Sequence, residues 1–95
     1  MTRVLWTRQA VEDVEAIKAY VSRDSERYAA LLTERLVAAV GRLVLFPQSG
    51  RIVPEVGDDL LREVIHGNYR VVYRLRTEFV EVVAVHHAAR LLRVE

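Results

Sequence analysis

The sequence predicts an α+β domain in which two helices lie on one face of a small sheet. Three observations favour this class. Apolar residues recur at helical spacing in the first half of the chain, they alternate with polar residues in the second half, and the later connections are very short. The length of 95 residues fits a single domain over residues 1–95. The predicted order of elements is β-α-α-β-β-β.

The first half of the chain is predicted to hold one strand and two helices. The apolar run VLW at residues 4–6 indicates a strand, and Thr7 offers the N-cap of a helix over residues 8–21. Asp24-Ser25 supplies the next cap, for a longer helix over residues 26–44 that ends ahead of a proline. The apolar stripe expected along this second helix consists of Tyr28, Leu32, Leu36, Ala39, Val40 and Leu43.

The second half is predicted to form a three-stranded antiparallel meander. Residues 48–59 contain two turn signals and a proline, which predict a loop without strands. A tight turn at His66-Gly67 and a second short connection join the strands that follow. These strands cover residues 60–65, 68–75 and 79–86. Helices on one face of this sheet would leave its other face free for function, and residues 88–95 form either a tail or a short helix.

Composition and charge exclude several classes of function. The formal net charge of +1 argues against strong nonspecific binding to nucleic acid or to acidic membranes. The absence of cysteine excludes disulfides, thiolate nucleophiles and zinc–thiolate sites. No apolar run is long enough to span a bilayer, so a cytoplasmic protein without a membrane partner is expected. Lys18 is the single lysine, so arginine supplies nearly all the positive charge.

The segment NYRVVYRLR, residues 68–76, alternates arginine with aromatic and aliphatic residues. On a strand this pattern points Tyr69 and Tyr73 to the helices and Arg70 to the opposite face. With a two-residue turn at His66-Gly67, Glu63 is expected directly across from Arg70. Two interpretations remain open: a solvated ion pair on the open face, or a site for an anion or a partner that Arg62, Arg70 and Arg74 share.

His86-His87 is the other candidate for chemistry. Adjacent residues on a strand point to opposite faces, so the pair cannot share one metal ion without His66 from another strand. No metal site and no cofactor are therefore expected. One histidine near Arg90 could protonate a leaving group, because its pKa lies near neutrality, or it could simply be hydrogen-bonded at the end of its strand.

Several of these segments together resemble the RelE/ParE superfamily of toxins from bacterial toxin–antitoxin modules. The resemblance extends almost from end to end. It is carried by Trp6-Thr7 with Ala10 and Asp13, by LVLFPQSGR (43–51), by LREVIHGNYRVVYRL (61–75) and by VEVVAVHHAAR (80–90). It implies two helices against a small sheet, as the periodicity also predicts.

The resemblance implies two alternative activities. One branch of the superfamily poisons DNA gyrase by binding, without catalytic residues of its own, and another cleaves messenger RNA on the ribosome without a metal ion. For cleavage, the residues implied are Arg70, His86 and Arg90. The strand before Arg70 carries lysines in such nucleases, whereas here the positions hold Leu61 and Glu63. The pattern is closer to the ParE-like branch, so we favour a gyrase poison over a ribosome-dependent nuclease.

The resemblance also implies a protein antitoxin that neutralises the toxin in a heteromeric complex. A segment that folds on binding would meet the arginines and an apolar groove. The residues expected to contact the antitoxin or the target are Arg62, Arg70, Arg74, Tyr73, His87, Arg90, Leu31 and Val37. A third alternative is a degenerate module that pairs with its antitoxin and is not toxic.

Overall fold

Two helices pack on one face of a five-stranded sheet in the computed structural model of the chain, which describes residues 2–89. The expected α+β class and its order of elements are confirmed. Within these residues, no helix is both long and apolar enough to cross a membrane. The elements are β1 (Arg3–Trp6), α1 (Arg8–Ser22), α2 (Glu26–Gly41) with a 3-10 turn (Arg42–Val44), β2 (Arg51–Ile52), β3 (Leu61–His66), β4 (Tyr69–Leu75) and β5 (Phe79–His87).

The strands lie in the order β1-β5-β4-β3-β2, so the arginine-bearing β4 is the central strand. β1 runs parallel to β5, and the other neighbours are antiparallel. The expectation that residues 48–59 contain no strand is wrong, because β2 lies there and pairs with β3. Two residues are too few to show a period of two, so local pattern could not reveal this strand.

Both helices begin at the predicted caps. The Thr7 hydroxyl accepts from the Ala10 N–H at 3.1 Å and donates to the Val82 carbonyl at 2.9 Å, so it joins α1 to β5 as well as capping the helix. The Ser25 hydroxyl accepts from the backbone N–H of Tyr28 at 3.1 Å. The Tyr28 side chain is exposed rather than part of the apolar stripe, whose other expected members are all buried.

The main core lies between the helices and the sheet, where apolar burial stabilises the fold. A second apolar cluster lies on the opposite face of the sheet. The main core comprises Ala10, Val14, Leu32, Leu36, Val40, Val71, Val82 and Val85, and the second cluster Val53, Leu61, Val72 and Ala84. The expectation of a free second face is therefore wrong: Val53, from the loop after β2, covers part of it.

The β3–β4 hairpin turns one residue later than expected. Its loop is Gly67 and Asn68, and Gly67 has the positive φ of 57° that a glycine at the first loop position accommodates. Ile65 is consequently opposite Arg70, and Glu63 is opposite Val72. The pairing differs from the expected one by two residues, so Glu63 and Arg70 still share a face and become diagonal neighbours.

The buried Tyr73 fixes the start of the loop between α2 and β3. Its hydroxyl donates to the Pro47 carbonyl at 2.8 Å and accepts from the Gly50 N–H at 2.9 Å. Burial raises the pKa of this hydroxyl, opposed by the Gly50 hydrogen bond, so the neutral form is favoured. Gly50 lies so close that a Cβ there would be 2.6 Å from both the Glu63 carbonyl oxygen and the Tyr73 hydroxyl oxygen.

We expect Gly50→Ala to lower the free energy of unfolding by about 1–3 kcal/mol, because the atoms it would meet include backbone that cannot move aside cheaply. Gly41→Ala is the matched control. A Cβ at Gly41, at the end of α2, meets nothing within 4 Å, so a gain of about 0.5–1 kcal/mol is expected. Urea denaturation followed by Trp6 fluorescence measures both. Equal effects of the two substitutions would contradict this account of Gly50.

Candidate functional site

Arg62, Arg70 and Arg74 all contact the chain's own segment between α2 and β3. Arg70 and Arg74 lie on the second face of the sheet, whereas Arg62 pairs with Tyr73 and lies on the helix face. Arg62 donates through Nε to the Asp59 carbonyl and through Nη1 to the Gly50 carbonyl, both at 3.1 Å. Arg74 forms an ion pair with Asp58, with Nη1 and Oδ2 separated by 3.4 Å. The segment between α2 and β3 thus contacts all three arginines of the expected site.

Arg70 lies at the centre of a chain of four alternating charges. Its Nε and Nη2 both lie 2.6 Å from Glu63 Oε1. Its Nη1 and Nη2 donate to the two carboxylate oxygens of Glu55, at 2.6 and 2.8 Å. On the far side, Arg51 Nε donates to Glu63 Oε2 at 2.6 Å. Glu63 and Arg70 are only 1% and 4% exposed, so two buried charges satisfy each other within hydrogen-bond distance.

This arrangement sets the protonation of the site. The hydrogen bond to Glu55 and the interactions with Glu63 raise the pKa of Arg70 above its ordinary value, against the opposing effect of burial. The guanidinium, which is charged in proteins in any case, is thus held more firmly in its charged form. Among residues 2–89, the two arginines and two glutamates that pair here have a formal charge of zero, so Glu63 and Glu55 offset the positive charge of Arg70.

Two sequence expectations about these residues need correction. Arg70 and Tyr73 were both expected among the contacts of the antitoxin or the target, and both are buried. A solvated ion pair between Arg70 and Glu63 was the alternative, and it is wrong for the same reason. The loop covers the arginine, and the closely approaching backbone at Gly50 encloses the tyrosine. The pairing of Arg70 with Glu63 itself is confirmed.

The two histidines point in different directions, as expected. His86 is half-buried and lies opposite Arg70 in the β4–β5 register. His87 is exposed and meets the ring of Tyr69 edge-on, with 5.6 Å between ring centroids. Arg90, the third residue of the nuclease alternative, lies outside the described residues. Among residues 2–89, no three histidine or carboxylate side chains are grouped so that they could hold a metal ion.

A groove of about 370 Å³ runs between α1 and the end of β5 near these histidines. Asp13 lies in it and accepts from the Val85 N–H at 2.9 Å, which satisfies a backbone donor on β5 beyond the end of β1. Gln9 donates to the other oxygen of the same carboxylate at 2.8 Å. Asp13 is therefore a structural tie between α1 and β5.

Leu31 and Val37, the two apolar residues expected to contact a partner, are exposed on α2. Ala30 and Ala38 beside them are exposed as well, and Glu34 lies between the two pairs. The helix therefore presents apolar side chains outward as well as toward the core. An exposed apolar surface of this kind is typical of a protein-binding site.

Sequence reasoning missed three residues that pair with the charges of this sheet: Arg51 on β2, and Glu55 and Asp58 in the loop after it. No local signal could have found them, because β2 is only two residues long and the path of the loop is set by distant contacts. Asp58 also accepts from the Leu60 N–H at 2.9 Å, which ties the end of this loop to the start of β3.

A family model described as "ParE toxin of type II toxin-antitoxin system, parDE" matches residues 4–92. Among curated proteins, Toxin RelE2 of Caulobacter vibrioides is 34% identical over 92 residues, which cover 96% of this chain and 100% of the relative. Putative toxin Y4kP of Sinorhizobium fredii is 31% identical over 88 residues, with coverage of 90% and 88%. The chain therefore belongs to the RelE/ParE superfamily of toxins. The family model that it matches is that of the ParE toxin of type II toxin–antitoxin systems.

Solved structures agree on the fold. One described as the chromosomal ParDE TA system from P. aeruginosa superimposes with a TM-score of 0.75 and 21% sequence identity. The superposition covers 92% of this chain and 96% of the other. At this level of identity the likeness concerns the arrangement of helices and strands.

We expect Glu63→Gln to lower the free energy of unfolding by about 3–5 kcal/mol, because it removes the buried charge that two arginines share. The matched control is Glu81→Gln, whose partner Arg76 is 47% exposed. That change is expected to cost less than about 1 kcal/mol. Urea denaturation of both variants measures the difference, and similar losses would contradict the central position of Glu63.

Proposed function

We propose that this toxin acts by binding and poisoning DNA gyrase, and that a cognate antitoxin neutralises it. The observation that carries the proposal is the charge balance at Arg70. In a phosphate-cleaving site, an arginine must present net positive charge to the scissile group. Here Glu63 and Glu55 neutralise Arg70, and Asp58 neutralises Arg74. A toxin that acts by binding does not need an arginine with net positive charge at this place.

The match to the ParE family supports the same choice, since it concerns the gyrase-poisoning branch that the sequence pattern favours. The strand that precedes Arg70 adds to it. Leu61 and Glu63 occupy the positions where the resemblance implies lysines in nucleases, and in this fold both side chains are buried. They hold the loop and Arg70 in place, so neither is available to contact a phosphate.

We place the antitoxin on the outward side of α2 rather than on the arginine face. Leu31 and Val37 are exposed there, and their burial under a partner segment would be favourable. His87 and Arg90 remain proposed contacts as well, and His87 is exposed at the end of β5. Arg62 and Arg74 are engaged with the loop, so their contribution to a partner surface would be secondary.

The second candidate function is a ribosome-dependent endoribonuclease. One observation favours it: Arg70 and His86 lie directly opposite each other on adjacent strands. A histidine beside an arginine could act as a general acid next to a phosphate-binding group. Cleavage would require the Arg70–Glu55 ion pair to break, whereas the proposed binding function leaves this pair intact.

The purified chain is expected to inhibit supercoiling by gyrase, or to stabilise cleaved gyrase–DNA complexes, and to leave messenger RNA on ribosomes intact. His86→Ala should not change the inhibition, because the half-buried histidine has no catalytic role in a binding mechanism. If the chain instead cleaves messenger RNA, His86→Ala abolishes the cleavage and gyrase is unaffected, the nuclease function would replace the proposal. A chain inert in both assays that still binds its antitoxin would indicate a degenerate module.

Leu31→Glu and Val37→Glu should each weaken antitoxin binding by at least about tenfold, because each places a charge in the apolar contact. Val11→Glu on α1 is the control, since Val11 is 40% exposed and Leu31 is 39% exposed. Isothermal titration with the purified antitoxin measures all three. Equal antitoxin affinities for the two α2 variants and the control would contradict an antitoxin site on α2.

A further inference from the structure

Aromatic side chains line both sides of the groove of about 370 Å³ between α1 and the end of β5. On the helix side, Asp13, Ile17 and Tyr20 are spaced four and three positions apart, so they lie along one side of α1. On the sheet side, Tyr69 and His87 line the groove as register partners on β4 and β5. A group that enters the groove therefore lies between the Tyr20 ring and the two rings of the sheet.

The carboxylate of Asp13 is the one formal charge among the described residues that line this groove, with histidines counted as neutral at pH 7. Its two oxygens accept from the Val85 backbone N–H at 2.9 Å and from the Gln9 side-chain amide at 2.8 Å. Both donors are neutral, and Asp13 forms no ion pair within residues 2–89. Because a carboxylate can accept about four hydrogen bonds, this one has a negative charge and further acceptor positions to offer a ligand.

Aromatic rings beside an uncompensated carboxylate favour a cation as the ligand. An anion is disfavoured, because the formal charge of the lining is negative. A guanidinium fits better than an ammonium group, since it is planar, stacks on aromatic rings and donates to a carboxylate through two parallel N–H groups. The chain itself shows this contact at the C-cap of α1, where the guanidinium carbon of Arg23 lies 5.7 Å from the centroid of the Tyr20 ring. Tyr20 is nevertheless 68% exposed, so its ring remains accessible to a ligand from outside.

We propose that this groove binds an arginine side chain of a protein partner. The guanidinium stacks between Tyr20 and the rings of Tyr69 and His87, and it donates to the Asp13 carboxylate. The methylene groups of the arginine pack on Ile17, as the apolar stem of this side chain does on apolar surfaces. The proposal holds for either cellular target of the toxin, because it concerns only the side chain that the groove receives.

Titration with three small probes tests the chemistry of the groove. In N-acetyl-L-arginine amide the guanidinium is the single charge, and N-acetyl-L-citrulline amide is its neutral planar analogue. At pH 7 and constant ionic strength, we expect the arginine probe to shift the NMR signals of the Tyr69 and His87 rings in a saturable way. The citrulline probe should bind about tenfold more weakly, because it lacks the charge that Asp13 meets. N-acetyl-L-lysine amide keeps the charge without the plane and should also bind more weakly than the arginine probe.

Two substitutions locate the binding, each with a matched control. Asp13→Asn removes the charge but keeps an oxygen that can accept from the Val85 N–H, and it should weaken binding of the arginine probe about tenfold. Asp24→Asn removes an exposed negative charge elsewhere and should leave the affinity unchanged. Tyr20→Leu should weaken binding about two- to fivefold. Tyr28→Leu is its control, because Tyr28 is 52% exposed and does not line the groove.

Equal binding of the arginine and citrulline probes would overturn the proposal, and equal binding of the lysine probe would contradict its choice of guanidinium. Equal losses for Asp13→Asn and Asp24→Asn would overturn it as well, since a general change of charge would explain both. If Asp13→Asn does not fold, the exposed Tyr20 decides: an unchanged affinity of Tyr20→Leu contradicts binding in the groove. Tighter binding to Arg90→Gln would rule out a partner as the occupant, because the chain's own arginine would then be the competitor.

Discussion

The arrangement of the second sheet face depends on one buried carboxylate, Glu63. A charge this deeply buried is tolerated only when donors surround it, and Arg51 and Arg70 supply them from two neighbouring strands. Arg70 in turn binds Glu55, which fixes the loop after β2 across the sheet. The same loop places Val53 in an apolar cluster on this face. Ionic and apolar contacts thus support each other, and removal of the central charge would take from both guanidinium groups the carboxylate that they share.

This internal use of the arginines has a consequence for how the toxin could engage other molecules. Surfaces that serve phosphate recognition need cations with charge to spare, and the cluster around Arg70 is balanced by its own glutamates. The exposed apolar residues lie elsewhere, at Leu31 and Val37 on α2. The two faces of the protein are therefore suited to different tasks. The helical face exposes apolar side chains, while the charges of the second sheet face are paired within the chain.

Most of the secondary structure could be predicted from local pattern, because helix caps and periodicity are properties of adjacent residues. Thr7 and Ser25 begin the helices where expected, and the later strands agree with prediction to within one residue at each end. The failures share a cause. The strand β2 is two residues long, and the hairpin loop lies one residue later than expected because Gly67 adopts the positive φ. Neither feature leaves a periodic signal.

The sequence by itself determined the family, the order of elements and the closeness of Glu63 to Arg70, because motifs, periodicity and hairpin pairing act over short separations. It also indicated which residues carry charge. Only the tertiary structure decided what those charges face. Arg70 is paired with Glu55, which lies 15 positions away along the chain, and Tyr73 with Pro47, 26 positions away. Such pairings follow from the path of an irregular loop, and that path is set by burial of Val53 and by the close approach at Gly50. An alternating strand looks the same in sequence whether its arginines face water, a partner or the chain itself.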